Sequence, residues 1–214
     1  MRMRKKPWSQ NEIDSNERVV HDPESHKGQW AERFSNTNPI HLEIGCGKGN
    51  FLIQNAGLHP NINFIGLEAQ REIAVIAARK AREAECSANV AFIIGNAKNA
   101  NQYFASGEVG RIYLNFSDPW PKPRWAKRRL TYDSFLKVYE EIFGSRGELF
   151  LKTDNKILFD FSLKTLGNRA GWQVDNVSRD LHNSGFEGNV MTEYEQKFSS
   201  QGVPINRLEA YYNC

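Results

Sequence analysis

From Pro39 onward, short apolar runs alternate with helical stretches, and this alternation constrains the fold more than any other feature. The runs are His41–Ile44, Asn63–Leu67, Val90–Ile94, Arg111–Phe116 and Glu148–Thr153. Between them lie amphipathic stretches, clearest over Ala69–Glu85 and Tyr132–Phe143. Runs of this length suit strands, and strands that alternate with helices favour a parallel sheet covered on both faces. The expectation is an α/β domain with a mostly parallel sheet over residues 39–214. WQVDNV (172–177) and RLEAYY (207–212) are expected to close the sheet as a terminal pair, one of them antiparallel. Residues 1–38 are polar and poorly periodic. They are expected to form an N-terminal arm with one or two short helices, anchored by Trp8 and Trp30.

Bulk properties exclude several function classes. A chain of 214 residues, 40% hydrophobic and 25% charged, is long enough for a real core. No apolar run approaches the ~20 residues of a membrane span. The basic N-terminus, MRMRKKPW, has no apolar segment behind it and is not a secretory signal. Cys46, Cys86 and Cys214 are far apart and form no metal-type pair, so a reducing cytoplasm and no metal are expected. The net charge of +3 is too mild to demand a nucleic-acid partner, so any such footprint must be local.

The first strand runs into Glu43-Ile-Gly45-Cys-Gly47-Lys-Gly49. Alternate glycines let the backbone turn sharply and approach a ligand closely. The spacing G-x-G-x-G, with an acid two residues ahead, differs from the G-x-G-x-x-G of dinucleotide sites. Glu68 ends the second strand, where a carboxylate can accept from both hydroxyls of a ribose. A loop of this kind suits a nucleoside bearing an amino acid, and S-adenosylmethionine is such a ligand. Asn96 follows the third strand, where its amide either meets an adenine edge or simply makes a turn.

The fourth strand ends in LNFSDPWPKPRWAKRRLTY, 114–132. An apolar run stops at Asp118, and five of the eight residues from Lys122 to Arg129 are then Lys or Arg. Alone, such a run is as readily a solvated face as a phosphate-binding surface.

Together, Glu43–Gly49, Glu68, Asp118-Pro-Trp-Pro-Lys122, Lys127–Tyr132, KTDN (152–155) and MTEYE (191–195) resemble the bacterial tRNA (guanine-N7)-methyltransferases. These are class I Rossmann-like enzymes that methylate a guanine of the tRNA variable loop, position 46. The resemblance extends from the basic arm to the C-terminus. It implies that Glu43, Gly45, Gly47, Gly49, Glu68, Asn96 and Asp118 line the site of S-adenosylmethionine, with Asp118 catalytic. It implies that Lys122, Asp154 and Thr192, Glu193, Tyr194 and Glu195 line the substrate site. Arg124, Trp125, Ala126, Lys127, Arg128 and Arg129 would contact RNA. The sequence departs from the family twice: Asn96 stands where Asp is usual, and Pro123-Arg124-Trp125 replaces a commoner basic residue followed by Arg-His.

These residue types suit the chemistry. Guanine N7 carries an in-plane lone pair and no proton, so its methylation needs no base. The requirement is electrostatic, because charge passes from a sulfonium to the purine, and Asp118 can stabilise the developing cation. Asp154 and Glu195 could accept from guanine N1–H and the 2-amino group, although Asp154 also reads as a helix cap and Glu195 as a surface acid. Lys and Arg neutralise phosphate, and Trp120 or Trp125 either stacks on a base or packs under the loop. The basic residues Arg2, Arg4, Lys5 and Lys6 would extend that surface. Some members form homodimers, which the short arm resembles. Two alternatives remain at this point. Asp118-Pro-Trp is also similar to the signature of amino-methyltransferases acting on adenine N6 or cytosine N4, and a non-catalytic RNA-binding Rossmann domain would share the fold.

Overall fold

The computed structural model describes residues 7–84 and 88–214. Eight strands form one sheet: β1 (Val19–Val20), β2 (Ile40–Ile44), β3 (Asn63–Glu68), β4 (Val90–Ile94), β5 (Val109–Asn115), β6 (Arg146–Thr153), β7 (Trp172–Ser178) and β8 (Asn206–Asn213). Their order is β1-β4-β3-β2-β5-β6-β8-β7. All pairings are parallel except those of β8, which is antiparallel to both β6 and β7. The α-helices are α1 (Ser9–Ser15), α2 (Trp30–Phe34), α3 (Asn50–Leu58), α4 (Arg71–Glu83), α5 (Ala100–Tyr103), α6 (Asp133–Phe143), α7 (Lys156–Gly167) and α8 (Glu193–Ser199).

Local causes account for the central elements. Every residue of β2 and β3 is buried, including the polar His41, Glu43, Asn63 and Glu68, as in strands covered on both faces. In α4 the buried positions are Ala74, Val75, Ala77, Ala78 and Ala81, a helical stripe. In α6 they are Phe135, Leu136, Tyr139, Ile142 and Phe143, and the helix stops at Gly144 with φ 69°. One hydrophobic cluster, which includes Leu42, Ile65, Leu114, Tyr139 and Leu151, fills one side of the sheet. A second, with Phe51, Phe64, Val75 and Phe92, fills the other.

The segment before Pro39 carries α1 and α2 and also gives the sheet an edge strand, since β1 pairs in parallel with β4. Trp30 is fully buried, and its indole donates to the Tyr103 carbonyl at 2.9 Å. Arg2, Arg4, Lys5, Lys6 and Cys86 lie outside the described residues. Among the described residues no helix is long and apolar enough to cross a membrane.

The topology positions the site. The chain runs from β2 outward through β3 to β4, then returns to β5 on the other side of β2. Such a switch point opens a crevice at the carboxyl ends of β2 and β5. Residues 179–205, between β7 and β8, return at the same end of the sheet, because Ser178 and Thr153 both pair with the start of β8.

Candidate active site

Gly45, Gly47 and Gly49 all take left-handed backbone, with φ 77°, 55° and 78°. Any L side chain would strain these turns. A Cβ on Gly45 or Gly47 would meet nothing within 4 Å, so their backbone faces open space. Gly49 has a second reason, because a Cβ there would lie 2.8 Å from that of Ala77 on α4. The loop is tied to β3 by Gly45 N–H donating to the Leu67 carbonyl at 2.8 Å.

Glu68, at the end of β3, completes the loop. Its Oε2 accepts from Gly47 N–H at 3.2 Å and its Oε1 from Gln70 N–H at 2.8 Å. Burial raises this carboxyl above its usual range; backbone N–H donors oppose that, and the nearby charge of Asp118 adds to it. Asn96 caps the 3-10 turn Ala97–Asn99, its Oδ1 accepting from Lys98 N–H at 3.0 Å.

Glu43 sits deeper. Its Oε1 accepts from Asn115 Nδ2 at 2.8 Å, a bond across the switch point from β2 to β5. Its Oε2 is buried without a hydrogen-bond partner. Burial pushes the carboxyl up to about 8, against the hydrogen bond from Asn115 and the charge of Lys152. The same burial raises the Cys46 thiol, which leaves it a poor nucleophile.

The strand-end segment is bent by two non-glycine residues in left-handed conformation, Phe116 (φ 52°) and Trp120 (φ 43°). Strain of this kind persists where surrounding contacts hold it. At Trp120, Arg129 supplies them. Its Nε donates to the Pro119 carbonyl at 3.1 Å and its NH2 group to the Trp120 carbonyl at 3.0 Å, with Phe161 beneath the guanidinium. Arg129 is 6% exposed, so unlike its neighbours in the basic run it is turned inward, with its Nε and one NH2 hydrogen engaged by the turn. The other basic residues are exposed on a 3-10 turn, Pro123–Arg128. Arg124 and Lys122 lie against the ring of Trp125, and Arg128 lies over Trp120. Ala126 is half-buried in the same turn.

Glu68, Asn96, Asp118, Trp120, Arg128 and Tyr194 line one cleft of about 420 Å³, together with Gly45 and Gly47. A smaller recess beside it is bounded by Glu43, Gly49, Asn115, Thr192, Glu193 and Tyr194. Lys122 and Asp154 do not line either space. Asp154 follows β6 directly, and the cap of α7 is Asn155, whose Oδ1 accepts from Leu158 N–H.

Glu195 is neither a surface acid nor open to a ligand in this conformation. It is fully buried, with Lys152 Nζ donating to Oε2 at 2.6 Å and Asn189 Nδ2 to Oε1. It also completes a capping box with Thr192 at the start of α8. Sequence reasoning missed its partner, although a lysine inside the otherwise apolar FLKT of β6 was a usable signal. Asn115 and Phe116 were missed as well. Phe116 stacks on Tyr194 and Phe198, with ring centroids 6.3 and 6.2 Å away.

A family model described as "Putative methyltransferase" matches residues 37–208. A tRNA (guanine-N(7)-)-methyltransferase of Geobacillus sp. (strain WCH70) is 50% identical over 213 residues, 99% of this chain and 96% of that one. The protein of the same description from Bacillus subtilis (strain 168) is 48% identical and covers 98% of both chains. The chain belongs to the tRNA (guanine-N7)-methyltransferase family. The fold agrees. A solved antibiotic-related methyltransferase superposes with a TM-score of 0.63 over 87% of this chain and 94% of its own, at 16% identity. A 16S rRNA methyltransferase superposes at 0.61, over 87% and 92%, at 14% identity. A geranyl diphosphate C-methyltransferase from Streptomyces coelicolor A3(2), solved with S-adenosyl-L-homocysteine, superposes at 0.52, over 83% and 70%, at 14% identity.

The side chains fit S-adenosylmethionine. The cleft is of small-molecule size. The buried, unpartnered Oε2 of Glu43 borders the adjoining recess, where an ammonium group would give it a partner and favour its charged form. Glu68 keeps lone pairs beyond those used by the two N–H groups. With Asp118 the cleft holds acids facing what would be a cationic ligand.

Glu43 also bears on stability. Its folded carboxyl titrates near 8 against an ordinary value of 4.5. Between those values the folded chain holds a proton that the unfolded chain releases, so stability falls as pH rises through the window. Glu43→Gln should remove that dependence. Ligand-free Glu43→Gln is expected to be more stable than the parent by on the order of 2 kcal/mol at pH 8, and by much less at pH 5. Urea unfolding at both pH values checks this; a difference that does not change with pH would place the carboxylate in the charged form.

Proposed function

We propose that this protein transfers a methyl group from S-adenosylmethionine to N7 of a guanine in tRNA, that of the variable loop at position 46, in the cytoplasm. The observation that carries this reading is that one cleft joins Glu68 and Asn96 from one side of the switch point to Asp118 and Tyr194 from the other. When bound, the cofactor supplies an electrophilic methyl carbon on a sulfonium. The chain's own residues bind, orient and stabilise. Glu43 and Glu68 hold the amino acid and ribose ends. Asn96, with its Oδ1 engaged by the Lys98 N–H, offers Nδ2 to an adenine nitrogen. Asp118 stands where the purine gains charge, and Tyr194, 59% exposed, offers a ring face at the same place. Alignment of the lone pair with the methyl carbon supplies much of the remaining rate.

The test is direct. Unmodified tRNA is incubated with labelled S-adenosylmethionine and digested, and the labelled nucleoside is identified. N7-methylguanine from the variable loop is the expected product. N6-methyladenine or N4-methylcytosine would indicate an amino-methyltransferase, and binding without transfer a non-catalytic module.

The basic turn divides by burial. Lys127→Ala with Arg128→Ala is expected to weaken tRNA binding and to flatten its salt dependence by roughly 0.7–0.9 for each phosphate no longer neutralised. Arg129→Ala should leave the slope unchanged and instead cost about 1–3 kcal/mol of stability, because two carbonyls lose charged donors. Salt titrations beside thermal melts separate the two; a slope lowered equally by Arg129→Ala would return that residue to the RNA surface.

A further inference from the structure

Helix α8 is tethered to the glycine loop by charge. Of its seven residues only Glu195 is buried, so a few side chains hold it to the body. Glu195 reaches β6, and Tyr194 and Phe198 lie against Phe116. Glu193 reaches the opposite way. Its Oε1 accepts from Asn50 Nδ2 at 2.6 Å and from Lys80 Nζ at 2.9 Å, and its Oε2 lies 3.4 Å from Lys48 Nζ. Asn50 Oδ1 in turn accepts from Lys80 Nζ at 2.7 Å. Lys48 and Asn50 flank Gly49, the left-handed residue that starts α3, and Lys80 stands on α4. Donors from the loop, α3 and α4 therefore converge on one carboxylate of α8. Partial burial would raise that carboxyl, but the lysines outweigh it and hold it below the usual range.

A carboxylate engaged by three donors is poorly placed to read a base edge. We propose that Glu193 is a positioning residue that couples the two halves of the site, tying the turn that carries Thr192 and Tyr194 to the loop that holds the cofactor. The inference rests on the reading that the cleft takes S-adenosylmethionine and tRNA. Tyr194 borders both the cleft and the recess over the glycine loop, so a shift of α8 changes both spaces. Through Glu193 the glycine loop would hold α8 in place for the acceptor nucleotide when the cofactor is bound, and by linkage tRNA would tighten cofactor binding by the same factor. Each ion pair is half in solvent and individually weak, so removing one charge loosens the tether without unfolding the chain.

The test measures coupling. Affinity for unmodified tRNA is determined with and without saturating S-adenosylhomocysteine, and the reverse cycle is closed. The parent protein is expected to show a factor of about 10. Glu193→Gln and Lys80→Met should each reduce it to about twofold or less, while S-adenosylhomocysteine affinity alone stays within about threefold; Lys80→Arg, which keeps the charge, should retain it. Full coupling in Glu193→Gln overturns the proposal. So does a loss of tRNA affinity in Glu193→Gln that is the same with and without S-adenosylhomocysteine and absent from Lys80→Met, which would make Glu193 a direct substrate contact. A parent protein that binds the two ligands independently overturns the coupling and leaves methyl transfer standing. One that binds no S-adenosylhomocysteine overturns both.

Discussion

Replacing Glu68 with Ala is expected to remove most cofactor affinity while tRNA binding, measured without cofactor, stays close to that of the parent. Two charge-assisted hydrogen bonds to a ribose are worth on the order of 2–4 kcal/mol, or about 30- to 900-fold in affinity. The structure adds a second loss. Glu68 also accepts from Gly47 and Gln70 N–H, so the variant leaves two donors of the site unpaired and loosens the loop against which the ligand packs. Both effects fall on the cofactor, and neither touches the basic turn at Lys122–Arg128. Glu68→Gln separates them, because one acceptor oxygen remains while the charge is lost; its affinity should fall between the two. Titration calorimetry with S-adenosylhomocysteine measures each. Near-normal affinity in the Ala variant would take Glu68 out of the site.

The parts of this architecture that could be read from the sequence are those whose cause is local. β4 is almost wholly buried and reads as an unbroken apolar run, Val90–Ile94, and α4 and α6 carry one apolar stripe each. The glycine spacing before α3 reflects backbone turns that other residues avoid. The parts that could not be read depend on distant partners. β1 is two residues long and has no period to detect. Glu193 and Asn50 are 143 residues apart in the chain, so a tether between them has no local signature. Arg128 and Arg129 look alike in a run of charges, but the turn exposes one and buries the other against its own carbonyls. Phe116 and Trp120 adopt left-handed backbone without the glycine that would announce it. Lys152 had a local signal, a cation inside a strand, but its meaning needed the buried carboxylate of Glu195 opposite it.

Asp118→Asn should slow methyl transfer by about 100-fold or more, the scale on which one preorganised electrostatic group acts. The substitution keeps the shape and removes the charge. Preorganisation is visible in the turn itself: Arg129 grips the carbonyls of Pro119 and Trp120, the two residues after Asp118, and the left-handed Phe116 bends the chain just before it. The carboxylate is exposed in the cleft and close enough to Glu68 to act on its titration, so it shares the space where the sulfonium charge would lie. Its role follows from the acceptor. N7 has no proton to lose, so at saturating cofactor the single-turnover rate should be nearly flat from about pH 6 to about pH 8.5. tRNA affinity should change little in the variant, because the exposed basic turn is untouched. A parent rate that climbs about tenfold per pH unit across that window, and loses the slope in Asp118→Asn, would show a titrating base and overturn the electrostatic account. A near-normal Asn variant would leave Asp118 as a strand-end turn residue, and the rate would then come from alignment of the lone pair with the methyl carbon alone.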